Sequence, residues 1–419
     1  MQVGEVDLSD PETFVAGVPH EAFRLLRLHS PVHFQKESAQ ASGPMAPQGG
    51  REAQVAAGRG YWAITKYDDV FAIGKDPHRF SSARGATNIE EYEGDDLDAV
   101  RMMMVNMDPP QHGKFRRLVR QGFTPRMVAL MEPKIRANAT RILDAIAREG
   151  TCDFVTSVAA RLPLMAIADL LGVPEADQPL LFDWSNRLIG FQDPEFGRTA
   201  EDTKQAALEV WMYSNSLAEE REGKDGDDLV SLLVNGVVDG EKLTHMEIDS
   251  FFLLLAVAGN ETTRNAISGG LLALLEHPDQ KDRLVADPSL IPQAVEEMLR
   301  WVTPVMYFRR TATEDVVIRG QKIREGDKVC MYYGSANRDE DVFADSGRFD
   351  VTRNPNDHVA FGSGEHFCLG ASLARLELRI MFEELLKRFP DISVAGPIRR
   401  LRSNFINGYK EIPVRFTRG

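Results

Sequence analysis

Residues 244–275 limit how this chain folds more than any other segment. Thr244 is followed three residues later by Glu247, the spacing at which each side chain satisfies a backbone N–H at a helix start. The run that follows, through Phe252-Leu-Leu-Leu to about Leu275, is apolar on several faces rather than along one stripe. Such a helix has no side to turn to water, so it is predicted to pass through the centre of the molecule. Its longest apolar run, residues 251–258, is far short of the roughly 20 residues that span a bilayer.

The rest of the chain must wrap that helix. A length of 419 residues allows two or three domains. No linker or repeat divides it, which predicts one domain over 1–419, mainly α with a small β-rich lobe. Residues 125–147, 153–171 and 201–220 carry apolar positions at helical spacing, and 287–301 reads as a further helix. Residues 32–34 and 61–65 read as a β-hairpin, and 316–323, 328–333 and 405–416 as short strands. Residues 35–60, rich in Ala, Gly, Ser, Gln and Pro, bury little apolar surface and are predicted to form a flexible excursion. The net charge of −14, with no Lys/Arg-rich block, argues against nucleic acid as a partner. The first residues lack a basic and then apolar leader, so a cytoplasmic monomer without stable membrane insertion is expected.

Three cysteines, Cys152, Cys330 and Cys368, make neither a disulfide framework nor a CxxC zinc site. Cys368 alone has an unusual setting, Phe361-Gly-Ser-Gly-Glu-His-Phe-Cys-Leu-Gly370. The glycines let backbone approach a neighbour closely. The cysteine sits where a helix is predicted to begin, and the free N–H groups there favour a thiolate, a suitable axial ligand for haem iron. From these residues alone a Gly-rich phosphate loop or a buried free cysteine stays open, although the Lys-Ser/Thr of a phosphate loop is missing.

The string Phe361-Gly-x-Gly-x-His-x-Cys-x-Gly resembles the haem-binding loop of the cytochrome P-450 superfamily. The resemblance implies that Cys368 is the proximal ligand of haem b (iron protoporphyrin IX), with Phe361 and Gly362 in the cofactor-binding loop. It implies the P-450 fold, with haem between the long central helix and the helix after the cysteine. Glu297-Met-Leu-Arg300 resembles the family's Glu-x-x-Arg signature, which implies a structural network with Arg353. Ala258-Gly-Asn-Glu-Thr-Thr263 resembles the oxygen-activation motif of the central helix. Glycine and two threonines weaken a helix there, so a local distortion is predicted. By resemblance Thr262 and Glu261 are catalytic, an acid beside a hydroxyl managing proton delivery. His112 and Arg116, in a segment resembling the one that reaches the haem propionates, share a helical face. Arg310 and His366 match further propionate positions.

The implied reaction is monooxygenation, in which R–H, dioxygen, two electrons and two protons give R–OH and water. The chain carries no flavin or iron–sulfur segment, which implies a ferredoxin-type donor with a separate reductase. Lys114, Arg117, Arg120 and Arg375 are its candidate docking cations. Val105-Asn-Met-Asp-Pro-Pro, residues 257–265, Arg300-Trp-Val-Thr-Pro-Val305 and Phe405-Ile-Asn-Gly-Tyr-Lys resemble bacterial members that hydroxylate steroid side chains, isoprenoids and methyl-branched lipids. Val257, Ala258, Val305, Met306 and Ile406 are the candidate pocket residues. Hydroxylation of terpenes, fatty acids or aromatics stays open, as do a peroxide-driven haem-thiolate enzyme and a non-catalytic haem-binding protein.

Overall fold

The computed structural model describes residues 6–37, 60–92, 94–189, 192–196, 200–238 and 240–417, so most of the predicted excursion at 35–60 lies outside the described residues. The capping box opens the central helix, His245–Glu276. The Glu247 N–H donates to Thr244 Oγ1 at 3.2 Å, and the Thr244 N–H donates to the Glu247 carboxylate at 2.8 Å. Phe251, Phe252, Ile267, Leu271 and Leu274 on this helix are all buried, because other elements surround it. Helices Arg161–Leu171, Gln178–Ile189, Ala200–Arg221, Ile291–Val302 and Ala371–Arg388 pack against it. Among the described residues no helix is long and apolar enough to cross a membrane.

The predicted distortion at 258–263 is not there: the helix runs unbroken. Packing explains the glycine instead. A Cβ at Gly259 would lie 2.3 Å from Ile167 Cδ1, so its absence lets Arg161–Leu171 approach. The Thr262 hydroxyl is absorbed within the helix, donating to the Ala258 carbonyl at 2.7 Å.

The β-rich lobe is built on a five-stranded sheet in the order Val32–Gln35, Tyr61–Ile64, Lys328–Tyr332, Tyr307–Ala312, Phe80–Ser81. Its first two strands pair antiparallel, Val32 with Ile64 and Gln35 with Tyr61, as expected of the β-rich segments at 32–34 and 61–65. Residues 316–323 are two strands rather than one, Val316–Ile318 and Gln321–Ile323. The chain turns back between them at Arg319 and Gly320, both at positive φ.

Helix Ile291–Val302 joins the two parts through one buried carboxylate. Arg300, fully buried, donates to Glu297 from Nε and Nη2, both at 2.8 Å. Arg353 adds its Nε at 3.1 Å, the Asp350 N–H donates at 2.9 Å and Asn356 Nδ2 at 3.2 Å. Arg300 Nη1 donates onward to the carbonyls of Asn337 and Ser346, and Arg353 to those of Ala344, Asp345 and Arg348. Asn337 in turn accepts the Val359 N–H at 2.8 Å, two residues before the cysteine loop begins. The loop's other side abuts Tyr67–Gly74, where a Cβ on Gly364, at φ +69°, would stand 2.0 Å from the Gly74 carbonyl oxygen.

Removing one partner of such a pair strands a charge in the interior. Glu297→Ala is therefore expected to cost about 3–5 kcal/mol of unfolding free energy. Urea denaturation measures it, and a loss below about 1 kcal/mol, the worth of a surface pair, would sink the argument.

Candidate active site

Cys368 lies three residues before helix Ala371–Arg388, whose N-cap is Gly370. Its N–H donates to the Phe361 carbonyl at 2.9 Å, which closes the loop on itself. Burial pushes the Cys368 thiol up. A hydrogen bond from the Gly370 N–H and the charges of Arg116 and Arg375 pull the other way without winning. Loss of water thus opposes the charged sulfur while these donors favour it, and a bound cation would add to the donors' side. Burial also pushes Cys152 up to about 12 and raises Cys330, which lies in the lobe's core.

His112, Arg116, Arg310 and His366 come together above this loop. The His112 and His366 rings stack with centroids 4.1 Å apart, and His366 Nε2 lies 3.2 Å from the Ser82 hydroxyl. Burial lowers His112 to about 4 and His366 to about 2, each helped by the charges of Arg116 and Arg310. Both rings are neutral donors, not cations. Arg310 is buried and donates to the Arg309 carbonyl at 2.8 Å; Arg116 donates to the Phe367 carbonyl. His112 Nε2 is buried and has no hydrogen-bond partner. The nearby Asp108 carboxylate is already engaged by Ser81 Oγ and by the Ser82 N–H at 2.7 Å. The half-exposed Glu365 carboxylate lies 3.9 Å from His112 Nδ1, yet two guanidiniums and two imidazoles, one ring nitrogen unpaired, still make a donor set for a buried dianion. The residues therefore fit a haem, its propionates toward this cluster and its iron toward Cys368.

The central helix supplies the opposing wall. Ala258 is exposed although Ala256 and Asn260 beside it are buried, and Val257 and Thr262 are partly exposed. Ala258 and Thr262 are four apart and share a face. Glu261 is fully buried and faces elsewhere, since consecutive helix residues point about 100° apart. Its Oε1 accepts from Arg264 and, at 2.9 Å, from Asn265 Nδ2, while Oε2 is buried without a partner. Arg264 Nη1 donates to Asn186 Oδ1 at 3.0 Å. The acid and the hydroxyl are thus neighbours in sequence with separate partners.

Of the candidate pocket residues, Val305 is partly exposed and forms a β-bridge with buried Ile406. Met306 is corrected: one residue on, it points to the opposite side, is fully buried, and packs in the lobe's core with Tyr307 and Tyr332. A Cβ at Gly334 would meet its Cε at 2.6 Å. Arg375 is corrected as a docking cation, because it is bound to Glu296 at 2.7 Å and lies over the Phe361 ring. Sequence reasoning missed Glu296 and His358. Although burial opposes it, hydrogen bonds from His358 and Arg375 hold Glu296 down to about 2. The available signal was position alone: Glu296 adjoins Glu297, and a helix residue beside an anchored one faces a different neighbour.

A family model described as cytochrome P450 matches residues 164–390. The chain is 45% identical over 369 residues to a methyl-branched lipid omega-hydroxylase of Mycobacterium tuberculosis, covering 85% of this chain and 84% of that protein. It is 40% identical over 413 residues to a steroid C26-monooxygenase of Rhodococcus jostii, covering 97% and 84%. A Mycobacterium marinum cytochrome P450 solved in complex with pseudoionone superposes with a TM-score of 0.90 at 39% identity, covering 99% of each chain. A cysteine loop with a donor cluster beside it, on a chain matched along almost its whole length by monooxygenases of one family, leads to one conclusion: it belongs to the cytochrome P450 family and is a monooxygenase.

Proposed function

We propose that this chain is a single-domain, haem b-dependent monooxygenase that hydroxylates lipophilic molecules, foremost a steroid side chain or a related isoprenoid or methyl-branched lipid. It works as a cytoplasmic monomer with a ferredoxin-type donor and a separate reductase. The observation that carries the chemistry is the pairing of Cys368, at the loop, with a cluster of two guanidiniums and two imidazoles in which the buried His112 Nε2 has no partner. Cys368 would bind the iron, Arg116, Arg310, His112 and His366 would bind the propionates, and Phe361 and Gly362 would shape the loop beneath. Bound haem would supply the activation of dioxygen and the transfer of one oxygen atom.

The chain's own residues hold the substrate and manage protons. Val257, Ala258, Val305 and Ile406 form an apolar row that excludes water and orients a C–H bond. Thr262 Oγ1, held by the Ala258 carbonyl, keeps its lone pairs toward the exposed face of the helix. Glu261 must leave Arg264 and Asn265 to pass a proton toward it, and its unpaired Oε2 is the atom best placed to do so. The lipid reading is supported by relatives whose names specify branched-lipid and steroid hydroxylation and which cover most of this chain.

Cys368→Ser is expected to abolish the red-shifted Soret band of the reduced carbon monoxide complex, while Cys152→Ser retains it; a red-shifted band surviving in Cys368→Ser removes the cysteine from its role. Thr262→Ala is expected to divert electrons from product to hydrogen peroxide by tenfold or more, on the scale of a lost proton-transfer group, about 10²-fold or more. Measuring product and peroxide per electron decides it, and unchanged coupling would dismiss the hydroxyl. Sterols and long branched lipids are expected to shift the ferric iron from low to high spin at micromolar concentration, as they displace water from the site. If small aromatics shift it and sterols do not, the lipid reading falls.

A further inference from the structure

Glu296 precedes Glu297 on helix Ile291–Val302 and holds a different set of partners. Arg375 donates to its carboxylate from Nε at 2.7 Å and Nη2 at 2.9 Å. His358 Nε2 lies 3.2 Å from Glu296 Oε2, while the Ala360 N–H points at His358 Nδ1 over 3.2 Å. With Nδ1 accepting, the ring proton sits on Nε2 and is aimed at the carboxylate. The Arg375 guanidinium also lies 4.6 Å from the centroid of the Phe361 ring, and the Phe361 carbonyl accepts the Cys368 N–H. The helix that carries Glu297 toward 344–356 thus uses its neighbouring acid to hold the two ends of the cysteine loop.

We propose that Glu296, Arg375 and His358 are positioning residues that set the reduction potential of the iron: Arg375 puts a positive charge beside the cysteine loop and Glu296 offsets it. The inference rests on the reading of Cys368 as the iron's ligand. One-electron reduction makes the iron–sulfur centre more negative, so a nearby cation stabilises the reduced state and an anion opposes it. The pair keeps side-chain exposures of 37% and 28%, so water screens part of each charge. The expected effect is accordingly up to about a tenfold change in the reduction equilibrium, or about 59 mV for one electron.

The test is spectroelectrochemical titration of the haem-loaded protein and three variants, with the reduced carbon monoxide spectrum recorded for each. Glu296→Gln leaves Arg375 without its counter-charge and is expected to raise the potential. Arg375→Leu leaves Glu296 uncompensated and is expected to lower it. Arg375→Lys keeps the charge but loses the planar fork, and is expected to stay near the parent value. Shifts of one sign in the first two, no shift in either, or an Arg375→Lys shift as large as that of Arg375→Leu would overturn the inference. Loss of the red-shifted Soret band in the variants alone overturns it too, since the cluster would then be a brace for the loop. Absence of the band in the parent protein instead fails the reading of Cys368, and the inference falls with it.

Discussion

Everything near the cysteine hangs on the buried carboxylate of Glu297. One side chain, on one turn of helix Ile291–Val302, receives Arg300, Arg353, Asn356 and the Asp350 N–H. Residues 344–356 hold no helix or strand of their own, so their carbonyls need donors from elsewhere. Arg300 and Arg353 provide them, and both guanidiniums share the one carboxylate of Glu297. A buried ion pair in isolation contributes little net stability, because desolvation consumes the attraction. What this one does is specify a path: the chain between Ala336 and Phe361 has a single arrangement that satisfies both guanidiniums. A loop without secondary structure thereby acquires the rigidity of its neighbours.

Much of this was legible before any coordinates. The helix start at Thr244, the hairpin at 32–35 and 61–64 and the pairing of Glu297 with Arg300 follow from spacings of two, three or four residues, which local geometry converts directly into contact. The errors share a cause. At Gly259 and Met306 the sequence shows a weak helix former and an apolar residue near the presumed pocket. The reason each residue is there is a partner far along the chain, Ile167 and Gly334. Glu296 was invisible for the same reason, since its partners His358 and Arg375 are 62 and 79 residues away. Periodicity reports which face a residue takes, not what waits on it.

Burial acts on the site's ionisable groups in one direction, toward neutrality. It raises Cys368, lowers His112 and His366, and lowers even Arg116 and Arg310. The lobe and the helical part meet here, and each excludes water from the other's polar groups. A pocket so arranged discriminates by charge. A neutral apolar molecule of similar size would leave the buried His112 ring nitrogen without a partner, at the full cost of its lost hydration. A ligand that brought two carboxylates to the histidine–arginine cluster and a metal cation to the sulfur would oppose each of those shifts. The donors come from helix Gln111–Val119, strand Tyr307–Ala312 and, through His366, the same loop that carries the sulfur. One body carrying both kinds of charge would satisfy donors and sulfur together, and in doing so would tie the β-rich lobe to the helical part.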